Sequence, residues 1–339
     1  MNKFINNIGI IGIGYWGPNL YRNFSNNKSF SIKYICDINK NNLNKLNLIS
    51  PSTIRVNNYK EILKDKNINS VVISTPVASH YKIAMDCLNA GKNIFVEKPL
   101  ADSSIKCRKL IDIANKKSLS IFVDHTFLYT SAVNKMKEIS RRRNFGNLLY
   151  YDSTRINLGL VQNDINVIWD LAVHDLAILN YIYTKKPVLV SAIGHKHFSS
   201  KPITSAYITI KYEGNFVAHI NVNWLSPVKI RQTILGGSKK MILYNDLEPS
   251  DKITIYNKGI DIIKNEKSSA NLIKYKVGDT HLPYLNNSEA LSSAVIEFNK
   301  CIKNKNYRSK STATDALKIV KILEAADKSM SMNGKPIKV

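Results

Sequence analysis

No apolar stretch in the sequence approaches the roughly 20 residues a helix needs to cross a bilayer, so no membrane anchor is expected. The start also lacks the cationic leader, apolar region and small-residue cleavage site of a secreted precursor. A strand-like run, Ile8–Ile13, follows almost at once. Cysteine is sparse and scattered: Cys36, Cys87, Cys107 and Cys301 form no CxxC pair and show no metal-ligand spacing. Each thiol reads as a small buried apolar group, no metal site is expected, and the pattern suits a reduced cytoplasm. Internal repeats and low-complexity linkers are missing too.

Acidic residues are the other shortage. Against 49 Lys and Arg there are only 25 Asp and Glu, a formal net charge of +24. A basic surface draws anions such as nucleic acid, anionic membrane or a phosphorylated small molecule. Here the lysines are spread along the chain among asparagines and isoleucines rather than gathered on one face. The densest cluster, Arg141-Arg142-Arg143, follows a helical stretch and reads as a solvated helix end. No nucleic-acid reading motif accompanies the charge, so neither nucleic acid nor membrane is an expected partner.

What remains is an ordinary globular composition, 44% hydrophobic and 22% charged, in 339 residues, enough for two cored domains. Early in the chain, short apolar runs at Ile8–Ile13, Ser31–Cys36, Thr53–Val56, Ser70–Ser74, Asn93–Val96 and Ser120–Val123 read as strands. Helix-like segments separate them: Pro18–Phe24, Lys40–Leu48, Tyr59–Leu63, His80–Ala90 and Ser103–Lys116. Strand and helix alternating at this spacing predict a doubly wound parallel sheet. Ser79 or a neighbour is placed to cap the fourth helix at its start, and Gly91 to close its end.

After Asp124 the pattern changes. A helix at Ser131–Ser140 leads to a strand at Leu148–Ile156 and an apolar helix at Val167–Ile182. Strands then follow one another at Pro187–His195, Ile203–Tyr212, Asn215–Trp224, Lys229–Leu235, Lys239–Tyr244 and Lys252–Tyr256. Glu213-Gly214-Asn215 marks a hairpin. Helices near Ser288–Ile302 and Ala313–Met330 close the chain. The expected fold class is α/β: a Rossmann-type parallel sheet over 1–124, then an α+β domain over 125–339 with a large, mostly antiparallel open sheet. The C-terminal helix is able to pack back on the first domain.

Gly12-Ile13-Gly14-Tyr15-Trp16-Gly17 is a GxGxxG at the junction of a predicted strand and helix. Its glycines allow the tight turn, the approach of a pyrophosphate and close helix–strand packing, and the helix N-terminus faces the negative charge. The next strand ends in Asp37, where a carboxylate can accept hydrogen bonds from ribose hydroxyls and repel a 2′-phosphate. NAD is therefore expected over NADP. Ser74-Thr75-Pro76 ends another strand; it is either a plain turn or a cofactor contact, and His80 either faces the nicotinamide or merely starts a helix. Glu97-Lys98-Pro99 ends the following strand, so Lys98 also points to the crevice. From there it can stabilise a developing oxyanion. Asp170 and His174 lie four apart on one helix face. His174 is suited to general-base work with Asp170 orienting it, and equally to a satisfied place in the core.

Taken together, the GIGYWG loop, Asp37, the Glu97-Lys98-Pro99 tripeptide and the Asp170/His174 helix resemble the glucose–fructose oxidoreductase/inositol dehydrogenase (Gfo/Idh/MocA) family. The likeness runs over nearly the whole chain, and the EKP tripeptide followed by a D-x-x-x-H helix is its specific part. It implies reversible hydride transfer between a sugar or cyclitol secondary alcohol and a nicotinamide, and an open sheet that often makes homo-oligomers, here a dimer or tetramer. It assigns Lys98, His174 and Asp170 to catalysis and substrate binding, leaving open which of Lys98 and His174 takes the proton. Gly12, Gly14, Tyr15, Trp16, Gly17, Asp37, Ser74, Thr75, His80, Glu97 and Lys98 become the cofactor contacts. The stretches Gly14–Leu20, His125–Tyr129, Ser153–Gly159 and Asn166–Asp170 are similar to members from bacterial surface-polysaccharide pathways. Such enzymes oxidise nucleotide-linked amino sugars, typically at C3. On that likeness Arg155 and Asn157 are candidate substrate ligands, or else a strand-end pair holding a loop. Asp124 departs from the family pattern, which more often has a small residue there.

Overall fold

The computed structural model describes residues 5–44, 46, 50–159, 161–162, 164–199, 202–263 and 272–339. They fall into two compact units. The first takes in the chain to Tyr129 together with Ser288–Lys321, and the second Thr130–Asn287 with Ile322–Val339.

In the first unit, strands β1 (Asn6–Ile11), β2 (Phe30–Cys36), β3 (Ile54–Val56), β4 (Ser70–Ile73), β5 (Asn93–Glu97) and β6 (Ile121–Asp124) alternate with helices. These are α1 (Gly17–Ser25), α2 (Lys40–Asn44), α3 (Lys60–Lys64), α4 (Val77–Asn89) and α5 (Ser104–Lys116). All strand pairings are parallel, in the order β3-β2-β1-β4-β5-β6. β4 is buried along its whole length and β1 along most of it. A parallel sheet covered on both faces demands that. The strand order reverses at β1, so the carboxyl ends of β1 and β4 open the crevice where such sheets hold ligands.

Most predicted elements lie within two residues of their expected places. The helix expected over Lys40–Leu48 is described only to Asn44; Lys45, Asn47 and Leu48 lie outside the described residues. Helix α4 begins three residues earlier than expected. Pro76 stands at its N-cap, and Ser79 lies within the first turn, its hydroxyl 2.7 Å from both Pro76 O and Thr75 Oγ1. Proline in this position ends the strand and starts the helix in one step. Gly91 follows the helix at φ +74°, as a left-handed cap requires.

The returning segment 288–321 is bound to this unit by aromatic packing. Phe298, on the helix Ala290–Lys303, is fully buried among Phe24, Phe30, Phe95 and Phe122, with ring centroids 5.5–6.4 Å away. Arg22 grips Glu289 through two hydrogen bonds of 3.0 and 2.6 Å, and the Ser311 hydroxyl donates to Val123 O.

The second unit begins with α6 (Ser131–Ser140) and β7 (Leu148–Leu158). A π-helical turn, Ile168–Ala172, then runs into α7 (Val173–Ile182). Strands β8 (Pro187–His195), β9 (Ser205–Tyr212), β10 (Val217–Asn223), β11 (Leu225–Gly237), β12 (Met241–Asn245) and β13 (Ile253–Tyr256) follow. Gly214, at φ +85°, turns the chain between β9 and β10. β14 (Gly259–Ile263) and β15 (Leu272–Lys276) form a separate hairpin; β16 (Thr280–His281) and β17 (Ile337–Lys338) are short edge strands. The nine-stranded sheet runs β16-β13-β12-β11-β7-β10-β9-β8-β17. It is antiparallel except at its centre, where β7 and β10 pair in parallel. Helix α7 is apolar nearly throughout, with Val173, Leu176, Ala177, Ile178, Leu179 and Ile182 buried.

Candidate active site

The glycine loop closes by backbone contacts that tolerate no side chain at two points. Gly12 sits at φ +93°, and a Cβ there would lie 2.5 Å from Ser74 O; one on Gly17 would lie 2.5 Å from Gly12 O. At Gly14 a Cβ would meet nothing within 4 Å, so the loop faces open space at that point. Tyr15 and Trp16 are exposed beside it. Helix α1 starts without a side-chain cap or an acidic residue in its first turn. Its N-terminal N–H groups and dipole thus favour an anion such as a pyrophosphate. These features fit a dinucleotide.

Asp37 is tied into this loop in a way its position after β2 does not reveal. Its Oδ2 accepts from Ile13 N at 2.8 Å and from Asn42 Nδ2 at 3.2 Å, while Oδ1 accepts from Asn39 N at 2.8 Å. The carboxylate shapes the loop as well as lying at the strand end. Ser74 Oγ donates to Gly12 O at 2.7 Å, joining the ends of β4 and β1. His80 is buried in the first turns of α4, its ring nitrogens 2.8 Å from Thr75 O and from Pro99 O. It fastens the turn after β4 to the turn after β5, and so bears on where Lys98 sits.

Lys98 follows Glu97 at the carboxyl end of β5, and the parallel register sets Glu97 beside Asp124 on β6. Asp124 and the neighbouring His125 are buried. Burial first, then the neighbouring Asp124, holds the Glu97 carboxyl well above the usual carboxylate range. Burial pushes Asp124 up to about 6, against the opposing pull of Thr126, Glu97 and Lys98. His125 is pushed down to about 4, by burial and then by the charge of Lys98.

In the second unit, Asp170 lies in the π-helical turn and His174 one turn on, in α7. Such a turn widens a helix locally and recurs at functional sites. Trp224 Nε1 donates to Asp170 Oδ2 at 3.1 Å. The turn is held from behind by Asp327, whose carboxylate accepts from Trp169 Nε1 at 2.6 Å and Asn166 Nδ2 at 2.7 Å. Burial raises Asp327 despite those two donors.

Arg155 and Asn157 both lie on β7. Asn157 is half-buried near the strand's end, whereas Arg155 is only 3% exposed. Its Nε and Nη2 meet Asp175 Oδ2 and Oδ1 at 2.8 and 3.1 Å, and Ser153 Oγ donates to Oδ1 at 2.8 Å. Burial opposes the Arg155 charge, but Asp175 overcomes it and holds the guanidinium above its ordinary range. The sequence reading passed over Asp175. A signal existed: an acid in an otherwise apolar helix needs a buried partner. Trp224 and Asp327 carried no comparable signal, being far from Asp170 and Trp169 in sequence. Among the described residues, no three His, Cys, Asp or Glu side chains gather to hold a metal, and no helix is long and apolar enough to cross a membrane.

Comparison with known proteins agrees with this layout. Residues 6–125 match an oxidoreductase family with an NAD-binding Rossmann fold, and residues 135–243 match the GFO/IDH/MocA C-terminal domain. Glycosyl hydrolase family 109 protein 1 of Shewanella sp. (strain ANA-3) is 28% identical over 159 residues, 44% of this chain and 35% of its own. The inositol 2-dehydrogenase of Salmonella paratyphi B is 26% identical over 180 residues, 51% of this chain and 53% of its own. An uncharacterised oxidoreductase of Bacillus subtilis, YrbE, is 22% identical over 98% of this chain and 96% of its own. The chain thus spans only about a third of the length of some curated relatives it matches and nearly all of another.

Two solved structures share the fold throughout. UDP-N-acetylglucosamine 3-dehydrogenase GnnA from Acidithiobacillus ferrooxidans has a TM-score of 0.77 at 18% identity, over 96% of this chain and 98% of that one. GenD2 from gentamicin A biosynthesis, solved in complex with NAD, has a TM-score of 0.81 at 16% identity, over 99% and 96%. The two family matches span about two thirds of the chain, one on each unit, and the chain therefore belongs to the Gfo/Idh/MocA oxidoreductase family.

Proposed function

We propose that this protein is an NAD-dependent dehydrogenase acting on a secondary alcohol of a sugar. The substrate class we favour is a nucleotide-linked amino sugar of the UDP-N-acetylglucosamine type, oxidised at C3 for surface-polysaccharide synthesis. The observation that carries the reading is Lys98 at the carboxyl end of β5, in a unit whose glycine loop leaves room only for backbone at Gly12 and Gly17. Gly12, Gly14, Gly17, the start of α1 and Asp37 would hold the dinucleotide; Tyr15, Trp16, Ser74, Thr75 and Glu97 complete its surroundings. NAD bound there supplies the hydride acceptor.

The chain's own residues do the rest. Lys98 and His174 are each candidates to take the hydroxyl proton, and either is suited to hold the oxygen as negative charge develops. Asp170, fixed by Trp224, would orient His174 within the second unit. His80 positions the Lys98 turn, and Arg155 enters as the partner that anchors α7 through Asp175. The 3-dehydrogenase with this fold supports the nucleotide-sugar reading, while the inositol 2-dehydrogenase relative supports a cyclitol or free sugar instead. NADH production across UDP-sugars, inositols and hexoses separates the two. Lys98→Met is expected to lower kcat at least a hundredfold, about the contribution of one acid–base group, with NADH affinity kept. Unchanged turnover in that variant removes Lys98 from the mechanism. Turnover of any substrate rules out a non-catalytic NAD sensor.

We further propose that the protein is a homo-oligomer, a dimer or tetramer, formed through the open face of the nine-stranded sheet. Ile193 and Tyr207 lie opposite each other on β8 and β9, 65% and 63% exposed.

A further inference from the structure

Glu97 and Asp124 are the only adjacent strand-end pair in the β5–β6 register formed by two acids. Glu97 as a whole is partly exposed, but one of its carboxyl oxygens is buried, and Asp124 is buried entirely. Asp124 is 1% exposed; its Oδ1 accepts from Thr126 Oγ1 at 2.9 Å, whereas its Oδ2 and Glu97 Oε1 are buried with no hydrogen-bond partner among the described residues. Two neighbouring carboxylates that each turn an oxygen into the interior do not both ionise readily, so one proton is shared between them. Lys98 comes directly after Glu97 and is the cation whose charge favours the anion left on the pair.

We propose that Asp124 is a positioning residue: with Glu97 it forms a proton-sharing carboxyl pair that supplies the Lys98 ammonium with a buried counter-charge. The inference rests on the reading of Lys98 as a group that works on the substrate. The ionisable groups around the pair are Lys98, directly after β5, and, from the segment after β6, His125 and Tyr129. From the returning segment, Asp315 bears on His125, Glu297, Cys301 and Tyr307 bear on Tyr129, and Lys310 Nζ lies 5.6 Å from the Tyr129 ring centroid. Both nitrogens of His125 and the Tyr129 hydroxyl are buried without partners among the described residues, and burial keeps both groups neutral near pH 7. The carboxyl pair therefore holds one negative charge beside Lys98. When a second proton enters the pair, as pH falls through about 6, Lys98 loses the counter-charge that the pair supplies.

The test uses the intact protein, with kcat and KM followed across roughly pH 5–9 for wild type, Asp124→Asn and Asp124→Ser, and NADH affinity as control. Wild-type kcat is expected to fall about tenfold per pH unit below the pair's titration. Both variants should lose that acidic limb and run about tenfold slower near neutrality, at unchanged NADH affinity. A variant that keeps the wild-type rate and limb overturns the proposal. The shared proton is read separately, without turnover. Infrared spectra of wild type near neutral pH should show a protonated buried carboxyl band that Glu97→Gln removes, and a missing band overturns the proposal too. Should Lys98→Met leave turnover intact while the band is present, it is the catalytic reading of Lys98 that fails, not the pairing.

Discussion

At the scale of single residues, the buried charges divide into pairs that support the fold and groups that strain it. Arg155 and Asp175 are the first kind, 3% and 1% exposed and joined by two hydrogen bonds. Removing one partner strands the other in a place water does not reach. Asp175→Ala should therefore cost about 3–5 kcal/mol, measured by urea unfolding. Asp124 and His125 are the second kind, with opposite signs. A carboxyl raised to about 6 binds its proton more tightly folded than unfolded, so its contribution to stability is lost as pH rises toward 6. A histidine lowered to about 4 does the reverse, since below its ordinary 6.5 the unfolded chain takes the proton first and stability falls with pH. Between about pH 4 and 6 the two neighbours offset one another. His125→Asn removes the opposing half. Its unfolding free energy should decline more steeply than wild type as pH rises through that window, and an identical slope would show that His125 titrates as in a free chain.

At the scale of elements, the glycine loop shows how much of a site backbone alone can make. Gly12 combines φ +93° with a Cβ position 2.5 Å from the Ser74 carbonyl oxygen. Gly12→Ala is therefore expected to lose about 2 kcal/mol of stability and to weaken NADH binding, both read in one titration calorimetry and melting experiment. The same residue was legible in the sequence, because a tight turn after a strand leaves few alternatives to glycine. Helix α4 was legible in its body but not at its start. Ser79 is a good capping residue by type, yet proline at position 76 set the boundary three residues earlier. The π-helical turn at Ile168–Ala172 was not legible either, since apolar periodicity over so short a stretch does not distinguish it from an α-helix.

At the scale of the whole molecule, the net charge of +24 makes copies of the chain repel one another at low salt. Association through the open sheet must overcome that repulsion. Sedimentation at physiological ionic strength is expected to show a dimer or tetramer that Tyr207→Glu, at a 63% exposed position on that face, shifts toward monomer. A wild-type monomer under those conditions ends the oligomer proposal.

The local signals in the sequence were those in which one short stretch carries the whole constraint. The GIGYWG loop, Asp37 at a strand end, Glu97-Lys98-Pro99 and the four-residue spacing of Asp170 and His174 all belong to this kind. They depend on the turn, period or residue type a few positions away, and physics at that range is written in the chain. What the tertiary structure alone decided lies across long separations. Phe298 returns to a ring cluster with Phe24 and Phe95, β7 pairs in parallel with β10, and Asp175 seeks out Arg155. The Glu97–Asp124 pair is of the same kind, since a parallel register sets it and neither strand contains it. Register and burial are properties of the folded sheet, and only they reveal that two ordinary acids stand side by side next to Lys98, one of them fully buried.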